Sequence, residues 1–251
     1  MIKLENIYFS YGKKEILKDI RLEIKDGQFV SIIGANGSGK TTLLNVLFGI
    51  EKSQIGKIII NDKELSKYTI EERAKMFSFV SQRHDVKFPF SCLEVVMMGR
   101  NPYKSRLKPL SKEDINIVYQ VMEETETIKF ADTCITEISG GEYQRVILAR
   151  ALAQNTPILF LDEAFSAMDI SYKMKAIEIL KKRIKKDSLT VISVMHDMNL
   201  AYSLSDSVCV LSKGRIIAHD CPKVCMDEDL IKEAFNISVE KIEGKGFFIK
   251  N

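Results

Sequence analysis

The sequence has no long apolar run, and its first residues carry none of the features of an export signal. No uninterrupted apolar segment approaches the roughly 18 residues that a membrane-spanning helix requires. Residues 1–5 lack a basic segment followed by an apolar core, so no secretory signal is predicted. We therefore expect a protein that is made and kept in the cytosol, and we expect any membrane association to come through a partner.

Paired cysteines are lacking as well. The five cysteines are odd in number and scattered, and none of them forms a C-x-x-C pair; they are Cys92, Cys134, Cys209, Cys221 and Cys225. Cysteines in this arrangement are typical of reduced thiols in a cytosolic protein. Cys221 and Cys225 are close in sequence, but no histidine cluster accompanies them, which disfavours a metal site there.

Neither charge is in large excess. The 37 basic and 34 acidic side chains leave a net charge of +3, which is too balanced to indicate a nucleic-acid-binding protein. The most basic run, residues 181–186, lies where apolar residues recur at helical spacing, so its lysines are predicted to form a solvated helix face. No internal repeat or low-complexity linker interrupts the 251 residues. Residues 1–251 are therefore expected to form a single domain.

What the sequence does contain is a glycine-rich segment between an apolar run and a helical pattern. Residues 34–42, GANGSGKTT, fit the spacing G-x-x-x-x-G-K-[ST]. In such a loop, backbone N–H groups surround a polyphosphate, and the helix that follows adds the positive end of its dipole. Lys40 is expected to reach the β and γ phosphates, and the Thr41 hydroxyl is expected to ligate Mg²⁺. The predicted nucleotide-binding residues are Gly34, Asn36, Gly37, Ser38, Gly39, Lys40, Thr41 and Thr42.

Hydrophobic patterning around this loop predicts an α/β protein. Alternation before residue 30 favours short antiparallel strands, whereas the apolar runs at 157–161 and 189–194 favour central parallel strands. The pattern changes between about residues 84 and 155, which predicts an inserted helical subdomain in which one helix covers 114–130. Three further segments are predicted to be edge strands; they are residues 207–211, 214–218 and 247–249.

Polar side chains follow three of the predicted strands. Gln82, the pair Asp162 and Glu163, and His196 would meet at one edge of a parallel sheet and face the phosphate loop. Asp162 is expected to hold the Mg²⁺ shell directly or through water, and Gln82 to orient the attacking water or touch the metal. Glu163 would accept a proton from that water. His196 would hydrogen-bond the γ-phosphate, although a lone histidine at a strand end is more often structural.

Two other features extend the nucleotide site. Tyr11 lies beside a glycine ahead of the loop, where its ring could stack on a purine; taken alone, a packed turn residue is the commoner case. Ser139, Gly140, Gly141 and Glu142 precede a helical pattern, and their hydroxyl, amides and helix dipole predict a second anion site. Because the chain already has one phosphate site, the second is predicted to serve a nucleotide held by a second copy in a two-fold dimer.

In this order, these residues resemble an ABC-type ATPase over nearly the whole chain. The resemblance assigns the Walker A motif to residues 34–42, the Q-loop to Gln82, the signature to 139–142, the D-loop to 166–169 and the H-loop to His196. It also implies Walker B at residues 158–162 with Glu163 as the catalytic carboxylate, Tyr11 as the adenine-stacking aromatic, and ATP and Mg²⁺ as ligands. Four positions depart from the usual pattern; they are Ile138 for leucine, Glu142 for glutamine, Ala164 for proline and Met168 for leucine.

Within that superfamily, residues 90–103 and 196–201 resemble importers of iron chelates, haem and cobalamin. The resemblance implies a P-loop NTPase core with a mostly parallel sheet, an N-terminal antiparallel β-subdomain and an inserted α-helical subdomain. It implies an ATP hydrolase that sits peripherally on the inner face of the cell membrane and powers two permease subunits, with a substrate-binding protein engaged indirectly. Met97, Met98, Arg100 and Tyr103 are expected at or near the permease groove; the equally weighted alternative is that the two methionines fill the helical subdomain's core.

Other classes are compatible with part of the pattern. A cytosolic, non-transport ABC ATPase, such as those of iron–sulfur assembly or DNA repair, would share the nucleotide residues. The repair type needs a long coiled-coil insertion, and the translation-factor type needs two cassettes; neither is present. A plain P-loop kinase or GTPase would leave residues 139–142 unexplained.

Overall fold

The computed structural model of the chain describes residues 1–81, 86, 88–104, 109–242 and 246–250. Contacts divide the chain into two compact units. Unit 1 comprises Met1–Tyr68 and Thr190–Asn251, and unit 2 comprises Thr69–Leu189. Gln82 lies outside the described residues.

The strands follow one another along the chain with these bounds: Ile2–Tyr11 (β1), Lys14–Ile24 (β2), Phe29–Ile33 (β3), Ile55–Ile60 (β4), Lys63–Glu64 (β5), Phe77–Val80 (β6), Ile158–Asp162 (β7), Thr190–Val194 (β8), Ser207–Ser212 (β9), Arg215–Asp220 (β10), Val239–Ile242 (β11) and Gly246–Ile249 (β12). The α-helices are Lys40–Phe48 (α1), Ile70–Met76 (α2), Cys92–Met97 (α3), Lys112–Glu124 (α4), Gly140–Ala153 (α5), Ile170–Asp187 (α6), Met198–Leu204 (α7), Pro222–Cys225 (α8) and Glu228–Phe235 (α9). Short 3₁₀ helices cover Leu65–Lys67, Met98–Tyr103 and Ile128–Phe130.

An antiparallel sheet in the order β2-β1-β4-β5 opens unit 1. Side chains of β1 alternate between buried and accessible positions, as the sequence pattern predicts for an antiparallel strand with one covered face. The strands are longer than expected, at 10 and 11 residues. They continue through register shifts near Asn6 and Asp19, which both have positive φ and are joined by a side-chain hydrogen bond of 2.8 Å.

The second sheet of unit 1 carries the phosphate loop. Its central strand β3 is buried along its whole length and pairs in parallel with β8 on one side and β9 on the other. The expectation that residues 207–211 form an edge strand is wrong, because β9 lies between β3 and the antiparallel β10. Five of its six residues are buried, as a strand with neighbours on both sides requires.

Unit 2 combines two parallel strands with helices. Strands β6 and β7 pair with Phe77 opposite Ile158, and the rings of Phe77 and Phe160 meet edge to face at 5.5 Å. The predicted single helix over 114–130 is wrong, because α4 ends at Glu124. Thr125 donates its hydroxyl to the Val121 carbonyl at 2.8 Å, and Glu126 adopts a φ of 52°, so the chain turns away there.

None of the helices in the described ranges combines the length and the apolar character needed to cross a bilayer.

Candidate nucleotide-binding and hydrolysis site

The phosphate loop connects β3 to α1 through a backbone that only glycine can follow. Gly34, Gly37 and Gly39 have φ values of 153°, 77° and 106°. A Cβ atom added at Gly34 would lie 2.1 Å from the backbone oxygen of Leu211, whereas one added at Gly37 would meet nothing within 4 Å. The first glycine therefore allows the loop to pack closely, and the second borders open space where a ligand can approach.

The polar groups of this loop suit an anion. Lys40 is 5% exposed, and its ammonium donates to the carbonyl oxygens of Gly34 at 2.9 Å and Ala35 at 3.0 Å. The hydroxyl of Ser38 is buried and has no hydrogen-bond partner, which is costly unless a ligand supplies one. Helix α1 begins after a glycine N-cap that offers no side-chain cap, and no acidic residue lies in its first turn to repel an anion.

Tyr11 lies beside this loop. Thr42 hydrogen-bonds the Tyr11 hydroxyl, which also donates to Glu51 at 3.1 Å. Burial, followed by the Glu51 carboxylate, raises the pKa of Tyr11, although the Thr42 hydrogen bond opposes that rise. The ring packs edge to face on Phe9 at 4.8 Å and is 48% exposed, which leaves part of the aromatic surface accessible.

His196 lies in unit 1, at the same end of the same sheet as the phosphate loop. Strand β8 pairs with β3 so that Val194 lies opposite Ile32, and the phosphate loop begins just beyond Ile33. His196 follows β8 by two residues and is exposed. Within unit 1, Tyr11 thus contacts Thr42 at the start of α1, and His196 follows the strand next to the one that leads into the phosphate loop.

Asp162 and Glu163 end the buried strand β7 in unit 2. Asp162 is 6% exposed, and Glu163 is half-buried with a φ of 52°, a conformation uncommon for residues other than glycine. The Ser166 amide donates to the Glu163 carbonyl at 3.1 Å and closes a turn. Ala164, at the place of the usual proline, is fully buried in that turn. Strand β6 ends beside Leu161 of β7, two residues ahead of Gln82.

Residues 139–142 begin α5 with a capping box. The backbone N–H of Ser139 donates to the Glu142 carboxylate at 2.9 Å, and the Ser139 hydroxyl donates to the same oxygen at 2.7 Å. These two bonds hold the pKa of Glu142 below its ordinary value. Ser139 and Gly140 are exposed, so an anion can reach the end of the helix. The Ser139 hydroxyl has to leave Glu142 before it can donate to that anion.

Two polar residues near these motifs, Glu51 and Gln144, were not predicted from the sequence. Glu51 holds the Tyr11 hydroxyl, and Gln144 lies within α5 at 4% exposed, hydrogen-bonded to the turn after Glu163. The one available signal for Gln144 was a polar residue on a helix that buries most of its surface.

The segment predicted to meet a permease is partly structural. Arg100 is 6% exposed, forms an ion pair with Asp114 at 2.8 Å and donates to the carbonyl of Ala153 at the end of α5 at 2.8 Å. The guanidinium of Arg100 therefore neutralises Asp114 and caps a helix end, and its place near a permease groove stays a prediction. The Tyr103 ring lies 4.1 Å from that guanidinium and is 38% exposed.

A metal site at Cys221 and Cys225 finds no support. Cys225 is buried, and its thiol donates to the backbone oxygens of Asp220 at 3.3 Å and Val208 at 3.4 Å. Within the described part of the chain, no group of three or more His, Cys, Asp or Glu side chains could hold a metal ion.

A glycine loop that joins a buried parallel strand to a helix, with an inward lysine and no side-chain cap at the helix start, defines the class of P-loop nucleotide-binding proteins. The family model described as ABC transporter matches residues 17–166. The chain belongs to the ABC transporter family, whose ATP-binding proteins are ATPases.

Curated relatives extend over nearly the whole chain. It is 34% identical to an uncharacterized ABC transporter ATP-binding protein, YvrA of Bacillus subtilis, over 95% of this chain, but the chain spans only 54% of that protein. It is 31% identical to the petrobactin import ATP-binding protein FpuC of Bacillus anthracis, over 99% of this chain and 92% of that protein. It is 31% identical to the hemin import ATP-binding protein HmuV of Rhodococcus jostii, over 96% of this chain and 82% of that protein.

Solved structures agree with the fold. The dimeric structure of a bacterial ABC transporter cassette, MJ0796, is 31% identical with a TM-score of 0.79, covering 88% of this chain and 99% of that one. An ABC transporter in an inward-facing conformation is 23% identical with a TM-score of 0.81, covering 98% of this chain and 94% of that one. These likenesses identify the α/β P-loop fold of an ABC ATPase.

Proposed function

We propose that this chain is the ATP-hydrolysing subunit of an ABC importer for an iron chelate, haem or a cobalamin-type cargo. The observation that carries the nucleotide part is the phosphate loop, with its buried, unpartnered Ser38 hydroxyl and its inward Lys40. The cargo class is supported by the names of the relatives, which include import proteins for petrobactin and hemin.

ATP binds along unit 1. The triphosphate accepts hydrogen bonds from the amides between Gly34 and Thr42 and from the Ser38 hydroxyl, and Asn36 borders the phosphates. The Lys40 ammonium exchanges the carbonyls of Gly34 and Ala35 for the β and γ phosphates, a stronger charge-assisted contact. The adenine stacks on the exposed part of the Tyr11 ring.

The hydrolytic step uses the polar strand ends. Glu163 takes a proton from the water that attacks the γ-phosphorus, and the bond from that phosphorus to the bridging oxygen of ADP breaks, releasing phosphate. His196 donates a hydrogen bond to the γ-phosphate, and Gln82 orients the water. Thr41, Asp162 and Gln82 offer the hard oxygen ligands that Mg²⁺ prefers, and that ion would neutralise phosphate charge.

Ser139, Gly140, Gly141 and Glu142 serve the nucleotide of a second copy. The start of this helix is exposed and can accept a γ-phosphate. Because each chain's phosphate loop already holds its own ATP, that γ-phosphate belongs to the ATP held by the other copy. Two copies sandwich two ATP molecules and drive a pair of permease subunits at the cytoplasmic face of the membrane, with a substrate-binding protein delivering the cargo. The permease is proposed to couple to the inserted helical subdomain predicted from the sequence at about residues 84–155.

Nucleotide binding by Lys40→Ala tests the first part. The variant should lose measurable binding of a fluorescent ATP analogue, because a cation that contacts two phosphates is removed. Lys25→Ala, which removes an exposed lysine of the same unit away from the loop, is the matched control and should bind normally. Unchanged affinity in Lys40→Ala would refute the loop assignment.

The transport part requires the complex. Affinity purification of the chain from detergent extracts should bring down a polytopic membrane protein, and uptake of labelled ferric siderophore, haem or cobalamin by the host should stop when the chain is deleted. A chain that recovers only soluble partners would contradict the importer assignment.

A further inference from the structure

Two segments of unit 2 that are distant in sequence are joined by one buried side chain. The amide oxygen of Gln144, on α5, accepts a hydrogen bond from the backbone N–H of Ala167 at 3.1 Å. Its amide nitrogen lies 3.4 Å from the hydroxyl of Ser166, to which it donates. Gln144 is 4% exposed, so its own amide group is shielded from water, whereas Ser166 and Ala167 lie at the surface.

The backbones also approach closely at this junction. A Cβ atom added at Gly141 would lie 3.0 Å from the backbone oxygen of Ala167, so even an alanine would push the segments apart. Arg145 adds a second connection, because its guanidinium stacks 3.6 Å above the ring of Tyr172 at the start of α6. The beginning of α5 therefore packs against residues 166–172.

That segment is continuous with Glu163. The Ser166 amide donates to the Glu163 carbonyl at 3.1 Å, and Glu163 is held at a φ of 52°. A left-handed residue persists only when its surroundings over-determine it. Here the usual proline after the glutamate is replaced by Ala164, which restricts the turn less. Gln144 contributes two side-chain hydrogen bonds at the far end of this turn.

We infer that Gln144 is a positioning residue for hydrolysis: it fixes the turn at residues 163–167 and so sets the pose of the Glu163 carboxylate. The inference rests on the proposed role of Glu163 as general base. Loss of the Gln144 side chain should leave ATP binding in place and slow the chemical step, because a displacement of about 1 Å at a reacting group can cost roughly 10²-fold in rate.

The test compares Gln144→Met, which keeps the volume and removes both hydrogen bonds, with Gln154→Met. Gln154 belongs to the end of the same helix and also makes two hydrogen bonds, to the carbonyls of Ala74 and Phe77, away from the turn. Gln144→Met should lower kcat by at least about 10-fold with KM for ATP changed less than about 2-fold. Gln154→Met should lower Tm without that loss of kcat. Gln144→Glu, which keeps an acceptor for the Ala167 N–H, should recover most of the rate.

Hydrogen exchange supplies a readout that does not depend on activity. The backbone amide of Ala167 should exchange faster in Gln144→Met than in wild type. In Gln154→Met its exchange rate should equal that of wild type. Normal kcat in Gln144→Met, or an equal loss of kcat in both methionine variants, would overturn the inference.

A double mutant separates this inference from the proposed function. In a Glu163→Gln background, Gln144→Met should slow single-turnover hydrolysis much less than it does in wild type, since the group it positions is already gone. The same slowing in both backgrounds would show that Gln144 does not act through Glu163. If the single variant Glu163→Gln hydrolysed ATP at the wild-type rate, the proposed role of Glu163 as the base would be refuted. A normal kcat in Gln144→Met would refute only the positioning role of Gln144.

Discussion

The Ser139 hydroxyl donates to the Glu142 carboxylate at 2.7 Å, at the start of α5. The hydroxyl proton is therefore engaged within the chain. A phosphate from another molecule needs the same donors. A neutral glutamine at position 142, the usual residue there, would release the hydroxyl more easily and remove a negative charge facing that phosphate.

Replacing Glu142 with Gln should therefore strengthen the ATP-driven dimer. In a Glu163→Gln background, the protein concentration at half-dimerisation should fall by about 2- to 5-fold at low salt, the size of one charge effect at a helix N-terminus. The gain should shrink as salt is added. Glu137→Gln, which removes an exposed carboxylate just before the helix, is the control. A weaker dimer in Glu142→Gln would contradict the competition.

Tyr11 provides a test of base stacking. Tyr11→Ala should weaken ATP binding by roughly 10-fold, since a stacked base contributes about 1–3 kcal/mol. Tyr11→Phe keeps the ring and loses only the hydroxyl that contacts Glu51, so it should bind nearly as well as wild type. Tripolyphosphate, titrated calorimetrically, should bind all three proteins equally. If Tyr11→Ala weakened the binding of tripolyphosphate as much as that of ATP, Tyr11 would support the phosphate loop rather than stack on the base.

The Arg100–Asp114 ion pair predicts a dependence of stability on pH. Hydrogen bonding by Ser111, followed by Arg100, holds the pKa of Asp114 below its ordinary value of 3.8. Such a group stabilises the fold above that ordinary value, and the contribution is lost as pH falls through the depressed pKa. Asp114→Asn should cost about 3 kcal/mol at neutral pH, because it leaves a buried guanidinium without its counter-ion.

Thermal unfolding measured from pH 7 down to about pH 1.5 checks this, because the scan has to pass through the depressed pKa. Wild type should lose more stability than Asp114→Asn towards the acid end, so that the two curves converge. Asp132→Asn, a change at an exposed carboxylate of the same unit, should follow wild type. Parallel curves for wild type and Asp114→Asn would contradict the assigned pKa.

Much of this architecture follows from local patterns in the sequence. The phosphate loop, the buried strand that ends at Asp162 and the capped helix start at Ser139 are each specified by neighbouring residues, through glycine conformations, apolar runs and capping chemistry. Local rules also predicted the antiparallel strands at the start of the chain, although not their length.

The features that escaped prediction depend on partners distant in sequence. Arg100 resembles an exposed cation until Asp114 and the carbonyl of Ala153 neutralise it. Strand β9 resembles an edge strand because its sequence does not reveal that β3 lies beside it. The turn just after α4 has Glu126 at a positive φ, a conformation that glycine or asparagine would signal but glutamate does not.

The central claim is that Glu163 is the general base and that two chains close on two ATP molecules through residues 139–142. Glu163→Gln keeps the shape of the side chain and removes its basic oxygen, so hydrolysis should slow by roughly 10²–10⁴-fold while ATP binding persists. Size-exclusion chromatography with light scattering, run on this variant with ATP and Mg²⁺, tests both halves of the claim. We predict a stable dimer holding two ATP molecules, which Ser139→Arg abolishes. Near-normal hydrolysis, or arrested hydrolysis with a chain that stays monomeric at every ATP and protein concentration, would contradict the account.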